Sequence, residues 1–333
     1  MLPILITIKN SIFVANKSTK KVQNSTYFIN QITSKQFAIR VIMLLALMFA
    51  GNVIFLLIAN VFSLIIWDYN FFENPDLLAQ TANPEIIPML RFFQGTTSVG
   101  MFLVPGLVWT WIYERPLIKS LEIKRTIQPA QFFLLILLII IALPMINALA
   151  ALNQAVELPA FMHNLQESMK LAEANATKFM EALLSTDSIN VLLANLFVVA
   201  VLPGIAEEVI FRGILQKEIL RISGKPILSI LIAALLFSAM HMQFYTFLPR
   251  FILGIMLGLV FYWSKNLWIP IILHFLNNGM SVVAWYLLSP EDIEESIENV
   301  GTIHNMWPLA LVSILAVILT LYYFRKSAVR SSH

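Results

Sequence analysis

The sequence predicts an all-α membrane protein: a bundle of about eight transmembrane helices with the N- and C-termini cytoplasmic, plus one outer amphipathic helix. Its 333 residues are 59% hydrophobic and only 12% charged, and the mean hydropathy of +0.78 is far above that of a soluble domain. A bilayer core about 30 Å thick needs roughly 20 apolar residues per helix. Several segments reach that length without an interior charge, so the bilayer is the main solvent of this chain.

Hydropathy places the eight helices at intervals along the chain. Their predicted ranges are 39–67, 95–113, 131–152, 189–206, 227–242, 247–264, 267–288 and 306–324. The first is longer than one crossing requires, which indicates tilt or an interfacial extension. The fifth is short and carries His241 near its end.

The charges of the connecting loops supply the orientation, because cytoplasmic loops collect Lys and Arg. The N-terminal tail and segment 115–125 are basic, whereas 68–91 and 157–187 are mostly acidic. The later loops continue this alternation, which puts both ends of the chain in the cytoplasm. Arg250, near the outer end of the sixth helix, is the one basic residue that breaks the pattern.

No internal repeat or low-complexity linker divides the chain, so one membrane domain is predicted. Residues 1–38 form a basic cytoplasmic tail, residues 39–326 the polytopic membrane domain, and residues 327–333 a second cytoplasmic tail. The polar motifs of the membrane domain fall within 189–288. The absence of cysteine and the compact loops favour a multi-pass protein of a bacterial cytoplasmic membrane.

Composition also excludes several kinds of site. The chain has no cysteine, so it holds no disulfide, no thiolate metal ligand and no cysteine nucleophile. The net charge of +3 and the pI near 9.0 do not indicate nucleic-acid binding, because basic residues in a membrane protein follow its topology. We therefore expect the lipid bilayer, and no nucleic acid, as a partner.

The extracytoplasmic segment 157–187 differs from the other loops by its helical periodicity. Apolar residues recur there at helical spacing, at Leu165, Met169, Ala172, Ala176, Phe179 and Leu183. The pattern predicts an amphipathic helix that packs on the bundle or lies at the membrane interface. A lid or a substrate-docking element is the alternative interpretation.

A few ionisable and amide side chains interrupt the apolar helices, and all of them lie in the second half of the chain. An ionisable residue in a membrane costs roughly 2.5–3.5 kcal/mol on insertion scales, so such residues mark sites by default. Three helices carry them, and the residues are Glu207, Glu208, Arg212, His241, His274 and Asn278. Together they offer a general base, a second group that orients water or binds metal, and donors for an oxyanion.

Helix geometry predicts different roles for these residues, because side chains four residues apart share a helix face and adjacent ones diverge by about 100°. Glu208 and Arg212 are expected to pair, which leaves Glu207 free to face a cavity. His274 and Asn278 likewise share one face. Pro203 and Gly204 are expected to interrupt the helix before Glu207 and to admit water.

One difficulty follows from the predicted boundaries. They put Glu207 at the inner end of its helix and His241 towards the outer end of the next one. If these side chains act together, the boundaries are displaced or the helices differ in depth.

The three patterns Glu-Glu-x-x-x-Arg, Phe-x-x-x-His and His-x-x-x-Asn, in this order and in separate helices, resemble the CPBP family of intramembrane proteases. That family includes the Ras-converting CAAX prenyl endopeptidase and the bacterial Abi proteins linked to bacteriocin self-immunity. The resemblance covers about residues 189–288, which would be the protease core. It implies that Glu207 activates water with His241 as its partner, and that His274 and Asn278 stabilise the oxyanion. Glu208 and Arg212 would form a structural ion pair.

A zinc ion is a possible cofactor, because two histidines and a carboxylate make an ordinary catalytic zinc set. Its ligands would be Glu207, His241 and His274. No His-Glu-x-x-His pair lies on one helix, so the metal would be held by three helices. The resemblance also allows a metal-free glutamate mechanism, and this form, which needs no cofactor, is favoured here.

The expected substrate is a membrane-associated protein or peptide, whose identity the sequence does not give. A non-proteolytic membrane scaffold or bacteriocin-immunity factor with the same fold is the alternative function. A transporter is a weaker alternative, because intramembrane Glu, His and Arg also form proton relays. No matching pair of broken helices in the two halves of the chain supports it.

Overall fold

The computed structural model describes residues 31–74, 83–123, 126–288, 290–293, 299–302 and 306–330. No strand occurs within these ranges. The main helices in chain order are α1 Ser34–Trp67, α2 Pro84–Tyr113, α3 Pro129–Gln154, α4 His163–Leu184, α5 Ile189–Ser223, α6 Pro226–Ala239, α7 Phe247–Ser264, α8 Trp268–Leu287 and α9 Trp307–Arg330. Short helical turns at Leu117–Ser120, Ala160–Met162 and Pro290–Ile293 lie in the connections. Most of the predicted basic tail lies outside the described residues.

All eight predicted membrane segments coincide with helices, and the all-α membrane fold is confirmed. Among the residues that the structure describes, six helices are long and apolar enough to cross a bilayer: α1, α2, α3, α5, α7 and α9. The other two differ for physical reasons, because α6 has only 14 residues and α8 carries His274, Asn277 and Asn278. The count of eight crossings and the cytoplasmic termini stay predictions.

The ends of the first, second and last helices differ from the predicted ones, and α2 begins at Pro84 and not at residue 95. α1 begins at Ser34 and not at residue 39, because the Thr33 side chain caps Gln36 N and the Gln36 side chain returns to the Thr33 backbone. This reciprocal cap satisfies amides that would otherwise lack partners. α9 continues past residue 324 to Arg330.

The predicted end of the fourth segment at residue 206, with an interruption at Pro203 and Gly204, is wrong. α5 runs continuously from Ile189 to Ser223. It widens into π turns at Leu196–Val201 and Val209–Leu215, one on each side of the proline. A π turn accommodates an extra residue within a helix, so the helix passes the proline ring without ending. Glu207 therefore lies near the middle of α5.

The turn between α5 and α6 resolves the predicted mismatch in depth. Gly224 adopts a left-handed conformation with φ of 63° and ends α5, and Pro226 begins α6. α6 ends at Ala239 and not at residue 242, so His241 lies in the turn that follows. Glu207 and His241 are equally far along the chain from Gly224. At about 1.5 Å per helical residue, the two antiparallel segments bring them to similar depths.

α6 and α7 pack closely because two glycines of α7 face α6. A Cβ atom on Gly254 would lie 3.0 Å from the Cβ of Ala234, and one on Gly258 would lie 2.8 Å from Cγ2 of Ile230. Small residues spaced by four allow this approach in membrane helices. The glycine carbonyls are used as well, because Arg212 Nη2 donates to Gly254 O at 3.1 Å and Gln216 Nε2 to Gly258 O at 3.1 Å.

Four charged side chains join the start of α1 to the ends of α2 and α5. Arg40 Nη1 lies 3.0 Å from Glu114 Oε1 and 3.1 Å from Glu218 Oε1. Arg221 Nη2 donates to Glu114 Oε2 at 2.8 Å, and its Nη1 contacts Glu218. The loop charges predict that these three helix ends share one side of the membrane, and the contacts place them at one end of the bundle. The assignment of that end to the cytoplasm stays a prediction.

Replacing Gly258 by leucine should destabilise the protein, because the new side chain overlaps Ile230 of α6. Overpacking of this kind lowers the free energy of unfolding by about 1–3 kcal/mol. The thermal midpoint of Gly258→Leu in detergent measures the effect. Gly95→Ala is the control, because its Cβ would meet Val198 at an ordinary 3.6 Å. Equal midpoints for the two variants would contradict this account of the packing.

The charged cluster should make stability depend on pH through Glu114. Burial tends to raise the pKa of Glu114, but the hydrogen bonds and charges of Arg221 and Arg40 outweigh burial and hold the pKa below the usual 4.5. A carboxylate with a lowered folded-state pKa stabilises the protein above the unfolded pKa, and this contribution disappears as the pH falls through the folded value. We expect Glu114→Gln to lower the thermal midpoint at pH 7. The further fall in the midpoint between pH 5 and 3 should be smaller in this variant than in wild type. The exposed Glu85→Gln should behave as wild type at every pH.

Candidate active site

The predicted ion pair of α5 is present and fully buried. Arg212 Nη1 lies 2.8 Å from Glu208 Oε1, and both side chains are 0% exposed. Burial of two charges is tolerated when they are paired and further hydrogen-bonded. Arg212 has such a further hydrogen bond, from its Nη2 to Gly254 O.

Glu208 has a second partner that helix geometry alone did not predict. Its Oε1 lies 2.9 Å from Nδ1 of His274, so this carboxylate joins α5 to α8 as well as to Arg212. Because this oxygen also accepts from Arg212, the contact is read with Nδ1–H of His274 as the donor. Its Nε2 is then left for other contacts.

The ring of Phe237, from the Phe-x-x-x-His pattern on α6, lies between the two histidines. Its centroid is 5.4 Å from that of His241 and 5.7 Å from that of His274, and both contacts are edge-to-face. The guanidinium carbon of Arg212 lies 4.7 Å from the same ring centroid. The polar faces of α5, α6 and α8 therefore converge around Phe237, as the site prediction requires.

His241 is held in place by its own helix end. Its Nδ1 lies 2.9 Å from the carbonyl oxygen of Phe237, which fixes the ring and leaves Nε2 unused. The side chain is exposed. This histidine is thus the accessible member of the set, whereas His274 is buried with 3% exposure.

Glu207 has a carboxylate oxygen without a partner. Its Oε2 is buried and forms no hydrogen bond among the described residues. The charges of His274, Arg212 and Arg250 lie within electrostatic range of Glu207. A buried acceptor left unbonded is costly, so this oxygen is where a water molecule is expected. Direct contact with His241 is not required, because a general base and its partner commonly act through one water.

Asn278 lies on α8 one turn beyond His274, as predicted. Its Nδ2 donates to the carbonyl of Val199 at 3.0 Å, and its Oδ1 accepts from Nδ2 of Asn277 at 3.1 Å. Val199 belongs to the first π turn of α5, where backbone carbonyls lack their usual helical partners. One N–H of the Asn278 amide is therefore occupied and one is left for a ligand.

The possible zinc ligands Glu207, His241 and His274 can be tested against this geometry. Within the described ranges, no group of three or more His, Asp and Glu side chains is arranged to hold a metal ion. The residues as placed do not fit a zinc site, so no step below is assigned to a metal.

Comparison with known proteins bears on the segment that contains these residues. The sequence model of the Rce1-like family, described as type II CAAX prenyl endopeptidase Rce1-like, matches residues 189–280. The chain contains an Rce1-like region. This match confirms the resemblance predicted from the three patterns.

A curated relative of the Rce1-like region is the membrane-embedded CAAX protease MroQ of Staphylococcus aureus strain USA300. The two are 32% identical over 118 residues, which cover 34% of this chain and 47% of the relative. The chain thus spans about half the length of the curated relative it matches. No solved structure matches the chain.

The Rce1-like region includes every residue of the predicted site, since Glu207, Glu208, Arg212, His241, His274 and Asn278 all fall within 189–280. It covers α5, α6, α7 and part of α8. The remaining helices lie outside this region of the sequence, and the chain as a whole is an integral membrane protein. The chemical roles of the six residues are taken up below as proposals.

The amphipathic helix α4 packs against the Rce1-like region. Met169, Ala176, Phe179 and Leu183 of the predicted stripe are at least half-buried, whereas Leu165 and Ala172 are exposed. The carbonyl of Leu183 accepts from Arg91 Nη2 at 2.9 Å and from Asn195 Nδ2 at 2.8 Å. Packing on the bundle, the first of the two interpretations, is what the structure shows. The lid function stays a prediction.

Two charged residues near the site were not predicted to belong to it. Glu173 lies on the packed face of α4 and accepts from Tyr245 N at 3.3 Å and Thr246 Oγ1 at 2.8 Å. It therefore holds the loop that follows His241. Arg250, in the first turn of α7, lies within electrostatic range of both Glu173 and Glu207. Its departure from the charge pattern of the loops was the signal available in the sequence.

Glu173→Ala should loosen α4 and the loop after His241, because two donors of that loop lose their acceptor. Hydrogen exchange of residues 163–184 and 243–248 in detergent measures this, and we expect faster exchange in both segments. Glu167→Ala is the matched control, because Glu167 is 67% exposed and its partner on the same helix is His163. Unchanged exchange in Glu173→Ala would show that α4 is held without this residue.

Proposed function

We propose that this protein is an intramembrane endopeptidase that hydrolyses a peptide bond of a membrane-associated protein or peptide with water activated by Glu207. The observation that carries the proposal is the unpartnered buried oxygen of Glu207, in the middle of α5 and within electrostatic range of His274. The Rce1-like match over the same segment supports it. The catalytic residues proposed are Glu207, His241, His274 and Asn278, with Glu208 and Arg212 as supporting residues.

In the first step, Glu207 and Nε2 of His241 hold the attacking water. The water oxygen bonds to the carbonyl carbon of the substrate, its proton passes to Glu207, and the carbonyl π electrons move to oxygen. Asn278, through its remaining N–H, donates to the oxyanion that forms. His274 donates through Nε2 when it is an imidazolium, because its Nδ1–H is directed at Glu208. Donors of this kind stabilise the transition state more than the substrate.

In the second step, the tetrahedral intermediate collapses. The C–N bond breaks, the carbonyl re-forms, and the proton held by Glu207 passes to the departing nitrogen. The products are a carboxylic acid and an amine, so one water is consumed for each bond cleaved. Glu207 returns to its ionised form and accepts the next water.

The supporting residues act by position. The pair of Glu208 and Arg212 fixes His274 on α8 relative to α5, and Phe237 spaces the two histidines. We place the protein in a bacterial cytoplasmic membrane, in line with the Staphylococcus relative. A CAAX-type tail is one substrate class that the name of that relative suggests.

Replacement of Glu207 by glutamine should abolish cleavage and leave the fold intact, because the amide cannot accept the water proton. Loss of a general base lowers the rate by about 10²–10⁴-fold. Membrane proteomes of cells carrying wild type, Glu207→Gln or the exposed control Glu181→Gln identify proteins whose uncleaved form accumulates in Glu207→Gln cells alone.

A scaffold or immunity factor would tolerate Glu207→Gln, and a transporter would show altered flux in proteoliposomes in place of uncleaved protein. Either result would overturn the proposal. The metal-free form is checked separately in purified protein by zinc content and by activity after chelation. Activity that disappears on chelation and returns with zinc alone would contradict it.

A further inference from the structure

Arg250 is a half-buried cation to which the proposed mechanism gives no role. Its Nη2 donates to Gln243 Oε1 at 2.8 Å, which ties the guanidinium to the loop after His241. Its Nη1 is buried and has no hydrogen-bond partner in the described part of the chain. Within the same ranges, no carboxylate forms an ion pair with it. This donor favours binding of a ligand, because a buried donor without a hydrogen-bond partner is costly.

Arg250 and Glu207 each have one unpartnered atom. The two side chains interact electrostatically but form no ion pair. Each charge acts electrostatically on the other, and His241 is within range of Arg250 as well. Arg250 is thus within electrostatic range of both Glu207 and His241, and the space next to its free Nη1 lies inside the Rce1-like region. On the proposed function, this space is where water meets the carbonyl group of the substrate.

The charges around Arg250 decide which ligand fits its free donor. Glu173 and Glu207 already act on the guanidinium, so a substrate carboxylate would add a third negative charge to one cation. A neutral peptide carbonyl adds none. As water attacks, the negative charge leaves Glu207, which takes the proton, and appears on the carbonyl oxygen. The total charge near Arg250 is unchanged, and the cation keeps a negative partner throughout.

The other two oxyanion donors, His274 and Asn278, are each limited, so a further donor would contribute. His274 donates through Nε2 only as an imidazolium, and one N–H of Asn278 is occupied by Val199. Arginine, by contrast, is protonated at every working pH. We propose that Nη1 of Arg250 binds the scissile carbonyl oxygen and stabilises the oxyanion, which makes Arg250 a further catalytic residue. The inference rests on the proposed function.

The variants Arg250→Lys and Arg250→Gln separate charge from hydrogen bonding, since lysine keeps the charge and glutamine keeps a neutral donor. Arg115→Gln is the matched control, because Arg115 is exposed and lies on the ring of Trp111. Glu173→Gln tests whether Arg250 acts only by holding the loop through α4. Thermal midpoints of all four variants identify any that fail to fold, and Arg250→Lys then carries the test if Arg250→Gln does not.

The substrate is an internally quenched synthetic peptide that spans the cleavage site found in the Glu207→Gln proteome comparison. We expect Arg250→Gln to lower kcat by about 10²-fold, as loss of an oxyanion donor does, with KM nearly unchanged. The decrease in kcat should be smaller for Arg250→Lys, and smaller still for Glu173→Gln and Arg115→Gln. A phosphinic analogue of the peptide, with a tetrahedral anion at the scissile position, should bind Arg250→Gln more weakly by a factor similar to the loss in kcat.

Three results would overturn this role for Arg250: wild-type kcat in both Arg250 variants, unchanged affinity for the phosphinic analogue, or an equal loss of kcat in Glu173→Gln. The third would make Arg250 a positioning residue of the loop. Each of these leaves cleavage dependent on Glu207, so the proposed function stands. Absence of any Glu207-dependent cleavage overturns the proposed function and this inference together.

Discussion

The buried contact of Glu208 with Arg212 and His274 is the interaction on which the arrangement of the site depends. A fully buried carboxylate is tolerated in a membrane helix when it is paired and hydrogen-bonded, and here one oxygen of Glu208 accepts from both partners. Those partners come from two helices, and Arg212 also reaches the backbone of a third through Gly254. Glu208 and its two partners thereby fix the relative positions of α5, α7 and α8. Removal of any partner leaves the others as uncompensated polar groups in an apolar interior.

Most of the fold, and the residues of the candidate site, could be predicted from the sequence because the signals are local. Long apolar segments predict membrane helices, and rare polar residues within them mark a site. The spacing of Glu208 and Arg212 predicted their ion pair, since residues four apart meet on any regular helix. The family resemblance rests on the same short patterns, and the match over residues 189–280 confirms it.

The parts that were not predicted depend on contacts between distant segments. The continuation of α5 beyond Ala206 required π turns, which have no simple sequence signature. The bond of Glu208 to His274 joins residues far apart in the chain. Glu173 was read as one more acidic residue of an outer loop, and its packed position follows only from where α4 docks.

The turn at Gly224 is the point from which the depths of Glu207 and His241 are set. Glu207 and His241 lie equally far along the chain from this glycine. The number of residues between each of them and the turn therefore sets the depth of its side chain. Lengthening one arm by a single residue would move its side chain about 1.5 Å along the helix and rotate it by about 100°. Such a change would leave the composition and the hydropathy of the chain nearly as they are. Sequences in this segment should therefore tolerate exchanges of apolar residues far better than insertions or deletions.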